Sequence, residues 1–435
     1  MRKLVQEWND HGFNFTLDWL LRCVNAVIHG ESLFRHLHNT PREVFENGLQ
    51  RTVKHVNNVL NQISGKLGLD HSRVLFAKFS IPVLIRHLEL RKQGSIMSAD
   101  EWNLMLYWFL QAGIHGRFSS TTESKIRHDL RLVDGTLSGI ERLIAEIGVT
   151  WGRSQILASD FDSWSIGART YPVLYWLTRM RGARDFCYDI ELKASMMGKD
   201  SKLQVHHIFP KAKLYNAEPT KYTRPQVNAL GNFCFLTARC NQWIGDAFPA
   251  QCSKDGGDCD DSDLDFIRSK GYFYWVKEKN PGALESQWIP MDEELWKIEN
   301  YLDFLDARRK LLAAAANKYL KELNPSHPVT ESSSQETDKV KPARSHISGA
   351  DEENELRDLQ KWLKSSSLPQ GELGYELDGS GVFIDLAWQK GLPEGVGRPV
   401  ALLLNETAET YQAVSQAGYD CFVDVQSLKQ YVELN

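Results

Sequence analysis

Apolar residues in the first 200 positions recur at intervals of three and four, the period of an α-helix. Leu17, Leu20, Leu21, Val24, Val27 and Ile28 mark a helix over 15–28. Val53, Val56, Val59, Leu60 and Ile63 mark another over 44–67. A nearly unbroken apolar run over 74–90 predicts a buried central helix, started or kinked at Pro82. Ser98-Ala99-Asp100-Glu101 is a capping box ahead of a helix over 102–112, and Ser120-Thr121-Thr122-Glu123 can cap the next one. Helices over 137–147 and 172–180 complete a helical domain over 1–200.

The pattern changes from 201 onward. His207-Ile208-Phe209 and Phe233-Cys234-Phe235-Leu236 are short β-type runs between turn residues. Thr237 then precedes a short helical stretch that contains Asn241. Together they predict a compact ββα unit. Asp255, Asp258, Asp260, Asp261, Asp263 and Asp265 surround Gly256-Gly257, but their spacing departs from that of a calcium loop. This stretch reads as a solvated loop. Helix returns over 292–323, with Leu295, Ile298, Leu302 and Leu305 on one face and Arg308-Arg309-Lys310 outside it. The domain over 201–323 therefore closes on a helix.

Residues 324–352 are rich in Pro, Ser, Glu and Lys and poor in large apolar residues, the composition of a flexible linker. Beyond it, a helix over 355–363, strands over 374–377, 382–386 and 400–404, a helix over 408–417, a strand over 421–423 and a helix over 425–432 predict a small α/β domain at 353–435. The fold class is thus a mainly α-helical domain with an embedded ββα unit and a small C-terminal α/β domain.

Composition narrows the class only modestly. The 435 residues leave room for two or three domains, and 42% apolar with 25% charged content is that of a soluble globular protein. The N-terminus turns polar too soon for a secretory signal, and no run approaches about 18 apolar residues. A cytoplasmic protein without membrane contact is expected. The net charge of −5 does not announce a nucleic-acid binder, although such binding depends on local patches rather than totals. Seven cysteines are scattered without a Cys-x-x-Cys pair, which suggests reduced thiols. Cys23, Cys187 and Cys421 are expected to pack as small apolar residues.

The chemistry concentrates at Val205-His206-His207-Ile208-Phe209-Pro210. Adjacent histidines on a regular strand project to opposite faces, but in a turn stopped by Pro210 they can hold two roles. A neutral imidazole can ligate a divalent metal or take a proton from water near neutral pH. Asn241, in a helix packed against the turn, can ligate through its amide oxygen and complete a site open to substrate. Alone, the pair is equally well read as two structural histidines. Around it, Lys202, Lys211, Lys213, Lys221, Arg224 and Arg239 outnumber Glu218 and Asp246, a surplus suited to phosphate contact.

The full string His206-His207-Ile208-Phe209-Pro210, Leu230-Gly231-Asn232-Phe233, Leu236-Thr237 and Asn241 resembles the HNH, or ββα-metal (His-Me finger), nuclease motif. That resemblance implies His206 and Asn241 as metal ligands and His207 as general base, with Asn232 bracing the loop that carries it. Lys211, Lys213 and Arg239 become the expected DNA phosphate contacts. His206 stands where many relatives have Asp; the implied cofactor is a divalent ion, Mg²⁺ or Mn²⁺, with Ni²⁺ or Co²⁺ favoured more than a carboxylate would favour them.

Further stretches, among them Phe79-Ser80-Ile81-Pro82-Val83-Leu84, Gly116-Arg117-Phe118-Ser119 and Ala307-Arg308-Arg309-Lys310-Leu311-Leu312, resemble GmrSD-type (type IV) restriction endonucleases over about residues 1–323. The resemblance implies a restriction or phage-defence role with modified phage DNA as substrate. The Asp-Gly-Gln-Gln-Arg signature of that family's N-terminal ParB/sulfiredoxin-like NTPase domain is absent from the sequence, which leaves two expectations open: a partner polypeptide that supplies it, or a truncated reading frame. Arg117 and Arg127, with Lys125 and Arg131, form either a basic contact surface or an ordinary solvated helix face. The strand pattern around Asp385 faintly resembles PD-(D/E)xK nucleases. Its next strand, Leu402-Leu403-Leu404-Asn405-Glu406, lacks the acidic-x-Lys pair, which leaves an accessory role. Three functions compete: a metal-dependent DNA endonuclease, a non-catalytic DNA-binding or assembly subunit, and a zinc-stabilised module in which Cys234 or Cys240 joins the histidines.

Overall fold

A computed structural model describes residues 1–91, 97–118, 122–134, 138–162, 169–193, 203–217, 222–250, 263–328, 358–366, 368–377, 383–392, 398–404, 408–423 and 425–434. It is mainly helical with small sheets, and it divides into two units, Met1–Ser333 and Ser334–Asn435.

Local signals set many helix ends in the first unit. The Leu17–His29 helix starts at Thr16, whose hydroxyl accepts from the Trp19 amide at 3.2 Å. It ends on Gly30, in the left-handed region at φ 68°. The capping box ahead of Ala99–Ile114 is complete: Ser98 Oγ accepts from Glu101 N at 3.2 Å, and the Glu101 carboxylate accepts from Ser98 N at 3.1 Å. The second expected capping box falls largely at 120–121, outside the described residues.

The apolar run over 74–90 is not one helix. The α-helix is Ile81–Glu89, with Pro82 in its first turn, while Val74, Leu75 and Ala77 are buried in turns before it. Pro82 has no amide proton, and its ring would clash with the Lys78 carbonyl of a continuing helix. That carbonyl instead accepts from Trp19 Nε1 at 3.1 Å.

Strands β1 (Leu203–His207) and β2 (Phe233–Thr237) pair antiparallel, with His206 opposite Cys234 and His207 opposite Phe233. All of β2 is buried, because its alternating faces serve two cores. Phe233 and Phe235 join the helical core, whereas Cys234 and Leu236 join a second core with Ile208, Phe209, Tyr272 and Trp296. The helical half and the β-strands thus share one packed unit across the boundary expected at 200.

The Tyr301–Leu323 helix spans both cores. Tyr301, Phe304 and Leu305 lie in the second, and Leu312, Ala316, Leu320 and Leu323 in the first. Arg308 sits between them, fully buried, which corrects its expected place on an outer face. Its guanidinium donates to the carbonyls of Gly231 at 2.7 Å, Phe233 at 2.6 Å and Gln287 at 3.1 Å. Leu302, expected inside, is exposed. Leu295 and Ile298 belong to separate 3₁₀ turns, Glu293–Trp296 and Ile298–Asn300, so the helical face assumed for all four does not exist.

Residues 324–328 belong to the first unit and are packed there through Asn324 and His327, which corrects the expected start of the linker at 324. His327 is buried, with Nδ1 3.0 Å from Tyr107 Oη and Nε2 3.0 Å from Asn317 Oδ1. The rest of the expected linker lies outside the described residues.

The second unit contains a four-stranded sheet of β3 (Glu372–Glu376), β4 (Phe383–Trp388), β5 (Val400–Leu402) and β6 (Asp420–Phe422), in that order. Its first two pairings are antiparallel and the last is parallel. The Ala408–Gln416 helix provides the crossover that a parallel pair requires. A helix over 358–365 and the Val425–Leu434 helix complete the unit. No helix among the described residues is long and apolar enough to cross a membrane.

Candidate metal centre

The site is built at the C-terminal end of β1. Strand alternation puts Gln204 and His206 on one face and Val205 and His207 on the other. Because β1 ends at His207, both imidazoles still line one pocket of about 280 Å³, with Pro210, Lys211, Asn241 and Asp246.

Asn241 arrives from the Ala238–Ile244 helix, which follows β2 directly. Thr237 begins that helix, its hydroxyl accepting from Cys240 N at 3.3 Å. Asn241 Nδ2 donates to Gln204 Oε1 at 2.9 Å, and its Oδ1 lies 2.8 Å from His206 Nδ1. On the other side of the ring, His206 Nε2 lies 3.4 Å from Tyr272 Oη, which donates to the Ile208 carbonyl at 3.0 Å. With the His206 proton on Nε2, donated to that hydroxyl, Nδ1 turns a lone pair toward the Asn241 oxygen. Two acceptors then face each other, the arrangement a cation resolves. With the proton on Nδ1, the two groups hydrogen-bond directly. Donors sharing an ion at roughly 2.1 Å each can stand up to about 4.2 Å apart, a range that the His206–Asn241 pair satisfies.

His207 packs edge-on against Phe233, ring centroids 4.8 Å apart, and its Nε2 lies 3.3 Å from Asn228 Oδ1. Burial pulls His206 down to about 4. Burial and then the Lys211 ammonium pull His207 down to about 3. Both rings are therefore neutral near pH 7, the form that ligates a metal or accepts a proton.

Asn232 is fully buried and holds the turn after β1. Its Oδ1 accepts from Phe209 N at 2.8 Å, and its Nδ2 donates to the carbonyls of Phe209 and Val227, each at 3.0 Å. The side chain acts on backbone groups.

Of the three expected phosphate contacts, Lys211 lines the pocket. Lys213 lies 3.8 Å from the pocket residue Asp246 and 5.5 Å over the Phe248 ring. Arg239 sits 5.2 Å over Tyr188 and is not part of the lining. In the helical half, Arg117 is buried and donates from Nε to Asp129 at 2.6 Å, and Arg127 lies 3.6 Å from Glu31. Burial takes Arg117 out of any basic contact surface.

Cys187 and Cys240 form a disulfide, which corrects the expectation of reduced thiols and of Cys187 as a free apolar filler. The reason is spatial: 53 positions apart in sequence, the two Cα atoms stand 5.6 Å apart. Asp185 lies beside them, but its carboxylate already accepts from the amides of Cys187, Tyr188 and Thr237. The disulfide removes Cys240 as a thiolate ligand, and burial pushes the Cys234 thiol up to about 12. These facts weigh against zinc held by a cysteine and the paired histidines.

No family model matches the chain, and no curated protein matches it. The sequence alone did not point to Gln204, Asn228, Asp246 or Tyr272. All are common residue types without distinctive spacing, brought to the histidines by strand pairing and helix packing. Tyr272 carried one weak signal, its place in the aromatic run Tyr272-Phe273-Tyr274-Trp275.

Proposed function

We propose that this chain is a metal-dependent DNA endonuclease that hydrolyses phosphodiesters around one divalent ion. The observation that carries this reading is the opposition of His206 Nδ1 and Asn241 Oδ1 at 2.8 Å, with His207 on the same pocket. A His and an Asn suit Mg²⁺ or Mn²⁺, and the imidazole nitrogen also suits Ni²⁺ or Co²⁺. A bound ion would stabilise the charge that develops on phosphate and leaving-group oxygens. His207 accepts the proton of the attacking water, the resulting hydroxide bonds to phosphorus, and the bond to the leaving 3′ oxygen breaks. Asn232 keeps the His207 turn in place through backbone hydrogen bonds, and Lys211 offers a cation to a phosphate neighbour.

The HNH-like motif supports this chemistry. The wider GmrSD-like stretches support a place in a restriction or phage-defence system. A nicking assay on supercoiled plasmid with Mg²⁺, Mn²⁺ or Ni²⁺ tests the reading. Wild type should nick with at least one ion, and His207→Ala should lose about 10²–10⁴-fold of that rate while still binding DNA. Binding without nicking in the wild type would identify a non-catalytic DNA-binding or assembly subunit instead.

A further inference from the structure

The position of Asn228 adds a residue to the machinery. Its side-chain Nδ2 donates to the Arg224 carbonyl at 3.1 Å and to Tyr215 Oη at 3.4 Å. A carbonyl oxygen only accepts, so the amide cannot be turned over, and Oδ1 must be the atom facing His207 Nε2 at 3.3 Å. An amide oxygen has no proton to give. The proton of that contact therefore belongs to His207 Nε2, and the ring's lone pair is on Nδ1.

We propose that Asn228 is the positioning residue of the general base, holding His207 in the tautomer whose Nδ1 takes the proton from water. This rests on the nuclease reading above. During the reaction Nε2 keeps its proton, Nδ1 gains one, and the imidazolium that forms donates to the Asn228 oxygen throughout. Phe233, packed edge-on against the ring, limits its tilt. Asn228 touches neither substrate nor water in this scheme; its effect passes through His207. The residue is four positions before Asn232, and the two side chains divide the work: Asn232 holds backbone, and Asn228 holds the ring.

Two measurements test the proposal. In the first, kinetics of plasmid nicking compare Asn228→Leu and Asn228→Asp with wild type. Asn228→Leu should lose about 10²-fold in kcat with KM and melting temperature unchanged. Asn228→Asp presents an acceptor to Nε2, although it leaves the Arg224 carbonyl without its donor, and should keep at least about tenfold more of the wild-type kcat than Asn228→Leu. Wild-type kcat in Asn228→Leu, or equal loss in both variants, overturns the proposal. The second measurement uses no substrate: ¹⁵N NMR of the metal-free full-length chain with labelled histidine. His207 should carry its proton on Nε2 in the wild type and show mixed tautomers in Asn228→Leu. A wild-type His207 protonated on Nδ1 overturns the proposal. If Asn228→Leu does not fold, the aspartate variant and the wild-type spectrum still decide it. A wild type that binds DNA but nicks it with none of the ions sinks the nuclease reading, and with it the catalytic role of Asn228. The spectrum separately reports whether Asn228 sets the tautomer.

Discussion

Two strands of this protein carry groups that suggest metal binding, and they use those groups differently. At the end of β1, His206 and Asn241 meet with ring nitrogen and amide oxygen opposed, and both border a pocket. In β4 of the second unit, Asp385 is buried and its Oδ2 accepts from the Leu404 amide at 2.7 Å. The first pair either shares one proton or, with that proton on Nε2, leaves two acceptors facing each other. The second spends at least one carboxylate oxygen on holding backbone together. A motif in sequence records residue types, whereas the distinction between a ligand and a brace lies in what each polar atom already satisfies.

The sharpest way to break this contrast is to measure metal binding itself. His206→Ala or Asn241→Ala should weaken Mn²⁺ binding about 10²-fold or more, as read by calorimetry on the full chain. Asp385→Ala should leave it unchanged. The reverse pattern would move the metal centre to the second unit.

The next effect concerns the helix that presents Asn241. Cys240, its immediate neighbour, is tied to Cys187 across 53 positions. Closing a loop of this length stabilises by up to about 4 kcal/mol in the chain-entropy picture. Cys187→Ser should lower the stability of the first unit by that order in denaturant titration. Reductant should reproduce the loss in the wild type and add nothing to the variant. An identical wild-type curve with and without reductant would mean that the bond does not form in solution.

Arg308 gives the third. It supports the Gly231–Phe233 turn from behind by donating to three buried carbonyls. Arg308→Met fills similar space but leaves those acceptors without their donor, for a loss of about 3 kcal/mol. Thermal unfolding measures it. A neutral result would mean that water replaces the guanidinium.

These sites also show where the sequence was readable. Several helices, β2 and the strands of the second unit follow from periodicity and capping, because those signals are local; β1 lies at Leu203–His207 rather than at the expected 207–209. Arg308 was partly readable. Tyr301, Leu305, Arg308, Leu312 and Leu323 lie on one helical stripe, and only its charge argued for the outside. A charged group can be buried where carbonyls converge on it, and that convergence is a property of the tertiary fold. Cys187–Cys240 and Asn228–His207 were not readable, since their partners are distant in sequence and their types unremarkable. His206, His207, Asn232 and Asn241 were readable as a spacing, while the opposition of Nδ1 and Oδ1 emerged only from the packed helix.

The smallest effect separates brace from ligand most directly. Asp385→Asn preserves the shape of the side chain and an oxygen that can accept from Leu404 N, but removes the negative charge. A brace needs the acceptor more than the charge. The change should therefore cost about 1 kcal/mol, the difference between a charge-assisted and a neutral hydrogen bond. It should appear as a small shift in the unfolding of residues 334–435, with Mn²⁺ affinity and nicking as in wild type. A metal ligand would behave in the opposite way. Losing its charge would relieve the cost of burying a carboxylate, so the metal-free unit would unfold at the same or a higher temperature, and a divalent ion would no longer stabilise it. Melting curves of wild type and Asp385→Asn, each with and without Mn²⁺, distinguish these signs even when both shifts are small.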